Sequence, residues 1–259
     1  MAKIVLDAGH GGYDNGAVFE GRREKDDNLD ITLAVGEILE ENGIEVAYTR
    51  VEDVYDSPVR KAEIANATGA DYLVSFHRNS SPVPNTYSGV QTLIYDESGT
   101  KALMADNINQ ELAEVGFPDL GISLRKDLAI LRRTQMPALL VEVGFINTGA
   151  DNALLDSKFE ETAEAIARGI LGTLEQTGEF VPVEPETERV YRVQVGLFRN
   201  RENADSLAEE LRAMNYPVVI EPYGELYAVR VGATDVLDEA VALERRLNRT
   251  GYETLVVSR

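Results

Sequence analysis

Short apolar runs alternate with helix-patterned segments through residues 4–175: runs at 4–6, 44–48, 72–76, 90–95 and 138–143, helical patterns at 25–41, after Ser57-Pro58, at 101–115 and at 159–175. Strands and helices in this alternation bury their apolar surfaces together when the strands form a largely parallel sheet with helices on its faces. Ser at a cap followed by Pro at the first helical position marks the start of the second helix. The predicted class is therefore α/β, a mostly parallel twisted sheet flanked by helices. Segment 178–188, Gly-Glu-Phe-Val-Pro-Val-Glu-Pro-Glu-Thr-Glu, has neither a helical nor a strand period and reads as a linker.

Beyond the linker the chain repeats itself at an offset of 36, pairing Tyr191 with Tyr227, Val193 with Val229, Val195 with Val231, Gly196 with Gly232, Ala204 with Ala240, Leu211 with Leu247 and Tyr216 with Tyr252. Each copy reads as strand, helix, strand, which predicts a small α+β domain of ferredoxin-like βαββαβ order. Strand alternation puts Val193, Val195, Val229 and Val231 toward the helices, and Arg192, Gln194, Ala228 and Arg230 on the open face, a candidate ligand platform. The expected organisation is a first domain over 1–177, the linker over 178–188 and a second domain over 189–259.

At 259 residues and 44% hydrophobic, the chain is long enough for two folded domains. It has no cysteine, which excludes disulfides and thiolate ligands, so any metal must be held by His and carboxylate. The formal net charge of −20 argues against nucleic acid as a partner. That acidity is uneven: residues 189–259 hold ten Arg, no Lys and eleven Asp plus Glu, close to balance. No apolar stretch reaches the roughly 20 residues of a membrane span. The start, Met1-Ala2-Lys3-Ile4-Val5-Leu6-Asp7, meets a charge too soon for a signal-peptide core, so export by the general route is not expected.

Four residues stand out for chemistry. His10 follows the first apolar run in the glycine-rich turn Asp7-Ala8-Gly9-His10-Gly11-Gly12, and His77 follows the third in Ser75-Phe76-His77-Arg78-Asn79. As ends of parallel strands, both imidazoles would emerge at the carboxyl edge of the sheet, where open α/β sheets bind ligands. Glu24 begins a helix, and Glu142 interrupts the apolar run Leu139-Leu140-Val141-Glu142-Val143. Each has an ordinary alternative: solvent-facing or structural histidines, a carboxylate favoured by the helix dipole, a buried ion pair with Arg132 or Arg133. Together they suit a catalytic zinc site, two His and one carboxylate as ligands and a second carboxylate as base. Asp7 is a possible orienting partner for an imidazole.

The strings Val5-Leu-Asp-Ala-Gly-His-Gly-Gly12, Glu24-Lys25-Asp26 with Asn28-Leu29, Ser75-Phe-His-Arg-Asn79 and Met136-Pro-Ala-Leu-Leu-Val-Glu-Val-Gly-Phe-Ile146 resemble the zinc-dependent N-acetylmuramoyl-L-alanine amidases of the amidase 3 type, over about residues 2–175. The resemblance implies zinc held by His10, Glu24 and His77, with Glu142 as the catalytic glutamate. It implies hydrolysis of the amide between N-acetylmuramic acid and the L-alanine of the peptidoglycan stem peptide. Ala8 replaces a usual Pro, Asn147-Thr148 a usual Ser/Thr-Asn, and Arg78 a usual small residue, which beside a ligand is expected to alter substrate fit. Residues 79–90 are short and polar and no amphipathic helix is apparent before Glu142, so activity without an activator is expected.

The repeat region, Tyr191-Arg-Val-Gln-Val-Gly-Leu-Phe198 with Leu226-Tyr-Ala-Val-Arg-Val-Gly232, resembles the SPOR domain. This implies binding of peptidoglycan strands stripped of stem peptides, with Gln194 as the foremost contact and Arg192 and Arg230 beside it. A monomer acting on the cell wall is expected. The combination is similar to spore-release autolysins acting from the mother-cell cytoplasm; a prophage endolysin, or the mature form of a secreted enzyme, would look the same. Two other functions fit the residues less well: a non-catalytic peptidoglycan-binding protein, and a zinc peptidase cutting within the stem peptide.

Overall fold

The computed structural model describes residues 2–180 and 190–258, so most of the 178–188 linker lies outside the described residues. The chain divides into two compact units, Met1–Val183 and Glu184–Arg259.

The first unit runs β1 (Lys3–Ala8), a two-residue ribbon of β2 (Val18–Phe19) with β3 (Arg22–Arg23), α1 (Glu24–Glu41), β4 (Glu45–Tyr48), α2 (Pro58–Thr68), β5 (Tyr72–Asn79), β6 (Val90–Ile94), α3 (Thr100–Val115), β7 (Asp119–Leu124), α4 (Ala129–Arg133), β8 (Ala138–Phe145), α5 (Gly149–Ser157) and α6 (Phe159–Gln176). Six strands form one sheet in the order β4-β1-β5-β8-β6-β7. The first four are mutually parallel, β6 is antiparallel to β8, and β7 is parallel to β6. The α/β class holds. Ser57 caps α2 by accepting from the Arg60 amide, with Pro58 at the first helical position.

Strand alternation sends the two faces of this sheet to different tasks. Ile4, Leu6, Val74, Phe76, Leu139 and Val141 pack under α1, α3 and α6 in the main core. Val5, Leu73, Leu93 and Leu140 face the other way, onto Ala62 and Ala65 of α2 and Ile130 and Leu131 of α4. Two to four residues nearer the carboxyl edge of β1, β5 and β8 this second face carries Asp7, Ser75, His77, Glu142 and Gln91 instead of apolar groups. The apolar part anchors the sheet, and the polar part at the carboxyl ends of β1, β5 and β8 is where chemistry can occur.

Besides the β2–β3 ribbon, three elements depart from the sequence pattern. The edge strand β7 has only half-buried or exposed residues and a positive φ at Gly121, so it carries no apolar run. The short α4 precedes β8 where no helix is predicted, and α5 follows it; each fills a gap with only a few buried residues. Residues 80–89 form no helix.

The second unit runs β9 (Tyr191–Phe198), α7 (Arg201–Ala213), β10 (Val218–Tyr223), β11 (Leu226–Thr234), α8 (Leu237–Arg249) and β12 (Leu255–Ser258). Its antiparallel sheet has the order β10-β11-β9-β12. Val193, Val229 and Val231 meet Ala204, Ala208, Leu211 and Leu247 in its core, with Val195 packed against them. Ala228, expected on the open face, is fully buried.

Candidate metal centre

Glu24 is the first residue of α1, where the positive end of the helix dipole favours a carboxylate. Its Oε1 lies 3.2 Å from His10 Nε2 and 2.8 Å from His77 Nδ1. The three ligand-type atoms all fall within 4.8 Å of one another. A tetrahedral ion with bonds of about 2.0–2.1 Å spaces its ligands roughly 3.3–3.4 Å apart, so only small shifts separate this cluster from a zinc cradle. The donors, two imidazole nitrogens and a carboxylate, are those zinc takes.

Each donor is held from behind. Glu24 Oε2 accepts from the Ala17 amide at 2.8 Å. His10 sits at φ 59°, a strained left-handed conformation for a non-glycine residue, and its Nδ1 pairs with Asp14 Oδ2 at 2.9 Å. His77 lies flat against Gly9, where a Cβ would come within 2.4 Å of the ring. Buried Arg50 donates to the carbonyls of Ala8 (3.0 Å), Gly9 (3.0 Å), Lys25 (2.9 Å) and Glu52 (3.1 Å), tying the His10 turn to the first turn of α1. Lys25 adds a second tie through the Gly12 carbonyl and Asp53.

Electrostatics follow from this packing. Burial works to lower the His10 pKa, but the Glu24 and Asp14 carboxylates outweigh it and raise it to about 9. Burial likewise opposes ionisation of Glu24, and the two imidazoles overcome that and hold its pKa far below the carboxylate range.

Glu142 is the register partner of His77 across β5 and β8, on the same sheet face. Its Oε2 is buried and has no hydrogen-bond partner among the described residues, and neither Arg132 nor Arg133 pairs with it. Burial is the main reason that its pKa rises to about 7, with the nearby Glu24 charge adding to the effect. Beside these groups a cavity of about 280 Å³ is lined by His10, His77, Lys61, Asp56, Asp127 and Leu128, among others.

Two expectations are corrected. Asp7 orients no imidazole: it is buried with Thr49, Ser75 and Lys61, whose bonds and charge lower its pKa against the opposing effect of burial. Asp14, four residues past His10, takes that role. It was missed because the turn that brings it back is made by Gly11 and Gly12 at positive φ. Arg78 meets the cluster through its backbone amide alone, which donates to Glu24 Oε1 at 3.2 Å. Its side chain points to the opposite face, fully buried on Asp27 and Asn152, so the guanidinium does not reach the site.

In the second unit Gln194 is half-buried on the open face, opposite Arg230 on β11. Arg192 and Arg230 are not the free surface cations that strand alternation suggested: both pair with Glu221, and Arg230 is only 8% exposed. Glu221 comes from β10, outside the matched repeat strands β9 and β11.

Residues 4–172 match the family described as N-acetylmuramoyl-L-alanine amidase, and residues 187–258 match the SPOR domain. The chain is 36% identical over 225 residues to the sporulation-specific N-acetylmuramoyl-L-alanine amidase of Bacillus subtilis (strain 168), spanning 85% of this chain and 84% of that protein. It is 39% identical over 178 residues to the endolysin of Bacillus phage SPP1, spanning 66% and 65% of the two. Among solved structures, the catalytic domain of the amidase CwlV from Bacillus (Paenibacillus) polymyxa var. colistinus superposes with a TM-score of 0.62 at 35% identity, covering 68% of this chain and 99% of that one.

Proposed function

The chain belongs to the N-acetylmuramoyl-L-alanine amidase family and carries a SPOR domain, and from this we infer that it hydrolyses the amide joining the lactyl group of N-acetylmuramic acid to L-alanine in peptidoglycan. The observation that carries the reading is the meeting of His10 Nε2, Glu24 Oε1 and His77 Nδ1 beside Glu142, whose Oε2 is buried and unpaired.

In this reading His10, Glu24 and His77 hold zinc. When bound there, zinc supplies Lewis acidity, acidifying water and polarising a carbonyl. The chain itself handles the proton. Glu142 Oε2 takes it from the attacking water and delivers it to the departing amine as the carbon–nitrogen bond breaks. In the metal-free protein burial raises the Glu142 pKa to about 7, the direction that suits a group which must hold a proton before passing it on. The lactyl group is left as a carboxylate, and the peptide leaves with a free L-alanine amine.

The proposed division is a catalytic domain over 1–177, a linker over 178–188 and a glycan-binding domain over 189–259, the last using Gln194, Arg192 and Arg230 on strands stripped of peptides. The proposed setting is the cell wall, reached as a monomer during release of a spore from its mother cell. Similarity to the sporulation-specific relative over most of both chains supports that setting. No helix among the described residues is long and apolar enough to cross a membrane.

The test is hydrolysis of purified sacculi by the intact chain and by Glu142→Gln. The wild type should release soluble peptides that begin with L-alanine by mass spectrometry. The variant should release none while elemental analysis still finds one zinc per chain. Peptides beginning at an interior residue would make the enzyme a peptidase instead.

A further inference from the structure

The open face of the second unit's sheet holds a three-membered ion cluster. Glu221 on β10 accepts from Arg192 Nη1 on β9 at 2.6 Å and from Arg230 Nη1 on β11 at 2.5 Å. Two guanidiniums against one carboxylate leave a net positive charge, in a chain whose formal net charge is −20. Arg230 is 8% exposed, and the Nε of both arginines is buried without a partner among the described residues. Arg192 is half-buried, and burying the Arg230 cation beside it is a cost that an apolar pair filling the strand face would avoid. Glu221 holds both guanidinium planes in fixed positions, so an incoming anion has little side-chain freedom to freeze.

The surroundings suit a sugar. Tyr223, Leu255 and Val219 are exposed on the same face, the Tyr223 ring centre lies 5.9 Å from the Arg230 guanidinium carbon, and Gln194 is the register partner of both Arg230 and Leu255. Flat apolar groups take pyranose faces, and the arginines take a carboxylate.

The two activities are linked by one change in charge. Before hydrolysis the lactyl carbonyl is a neutral amide. Afterwards the oxygen of water is bonded to that carbon, the carbon–nitrogen bond is broken, and a carboxylate remains on the sugar. Resting on the glycan-binding reading of this unit, we propose that Arg192 and Arg230, positioned by Glu221, bind the lactyl carboxylate uncovered on each N-acetylmuramic acid. The second unit would then recognise the product of the first by an anion that the substrate lacks.

The test uses the full chain and two preparations of peptide-free glycan strands: one native, the other with its lactyl carboxyls chemically reduced to primary alcohols, which contains no bond that the enzyme can cut. The wild type should bind native strands about 10-fold more tightly than reduced ones. Arg192→Gln should bind both preparations alike, near the wild-type affinity for reduced strands, and this retained binding shows that the unit is folded. Arg192→Lys should keep part of the preference. Equal wild-type affinity for the two preparations overturns the proposal without any variant, and so does an undiminished preference in Arg192→Gln. Failure of the wild type to bind either preparation would refute glycan binding itself, and this inference with it.

Discussion

Asp14 Oδ2 lies 2.9 Å from Nδ1 of His10, which leaves Nε2 as the ring nitrogen that faces Glu24, 3.2 Å away. A carboxylate behind an imidazole fixes its tautomer and raises its basicity as a ligand. Asp14→Ala should therefore weaken zinc binding by about 10–100-fold. Competition against a chromogenic chelator measures this, with an unchanged circular dichroism spectrum as the control. An unchanged affinity would mean that the contact is incidental.

The same pair sets a pH dependence. In the metal-free protein the His10 pKa is raised to about 9 because Glu24 and Asp14 outweigh the effect of burial. Zinc takes only the neutral ring, so below that value binding must expel a proton. Affinity should climb by close to 10-fold per pH unit through neutrality and level off once the pH exceeds the His10 value. Chelator competition over a pH series checks the slope; a flat profile across pH 7–9 contradicts it.

Glu142 makes the opposite contribution to stability. Burial raises its pKa from 4.5 to about 7. Below 4.5 the group is protonated in folded and unfolded chains alike and its ionisation has no effect. Between 4.5 and 7 the folded state holds a proton that the unfolded state has released, so stability falls as pH rises. Above 7 the full cost is present. In chelator, Glu142→Gln should be more stable than the wild type at alkaline pH by about 1–3 kcal/mol, and the difference should vanish at acid pH. Urea midpoints at the two pH values measure it.

Arg50 sets the distance between two ligands that come from separate elements. Its guanidinium bridges the Gly9 carbonyl, next to His10, and the Lys25 carbonyl, next to Glu24. Removing it takes a donor from four carbonyls, of which Ala8 keeps Lys61, Gly9 keeps Asn28 and Glu52 keeps the Val54 amide, so each lost hydrogen bond costs about 0.5–1.5 kcal/mol. Arg50→Met should lower stability by about 2–4 kcal/mol and weaken zinc binding as well. A stability loss with full zinc affinity would show that the arginine supports the fold and not the site.

Much of this architecture was legible because the residues at issue were out of place in their own segments. Glu142 breaks an apolar run, and His10 and His77 end two others, so chain periodicity alone carried them to one sheet edge. The repeat at an offset of 36 similarly foretold the second unit, since matched valines at alternate positions define a strand face. Partners supplied by another element left no local mark. Arg50 lies just past β4, Asp14 returns through a glycine turn, and Glu221 sits on the strand whose side chains are not matched in the repeat. Arg78 shows the converse: adjacency to His77 suggested a role at the site, and strand alternation sent it to the other face.

Gly9 gives a local test of how tightly the His77 ring is seated. A Cβ there would stand 2.4 Å from both Cε1 and Nε2 of that ring, and the ring's Nδ1 is already engaged by Glu24 at 2.8 Å. The imidazole must move for an alanine to fit, and any such movement disturbs the position of its Nδ1 against Glu24. Gly9→Ala should thus lower zinc affinity by about 10–100-fold, while overpacking lowers stability by about 1–3 kcal/mol. Gly69, at φ 65° past the end of α2 with nothing near its Cβ position, is the control. Gly69→Ala should lower stability by about 1 kcal/mol through backbone strain and leave zinc affinity untouched. Equal effects of the two substitutions on zinc would show that general destabilisation, and not displacement of His77, is what weakens the metal site.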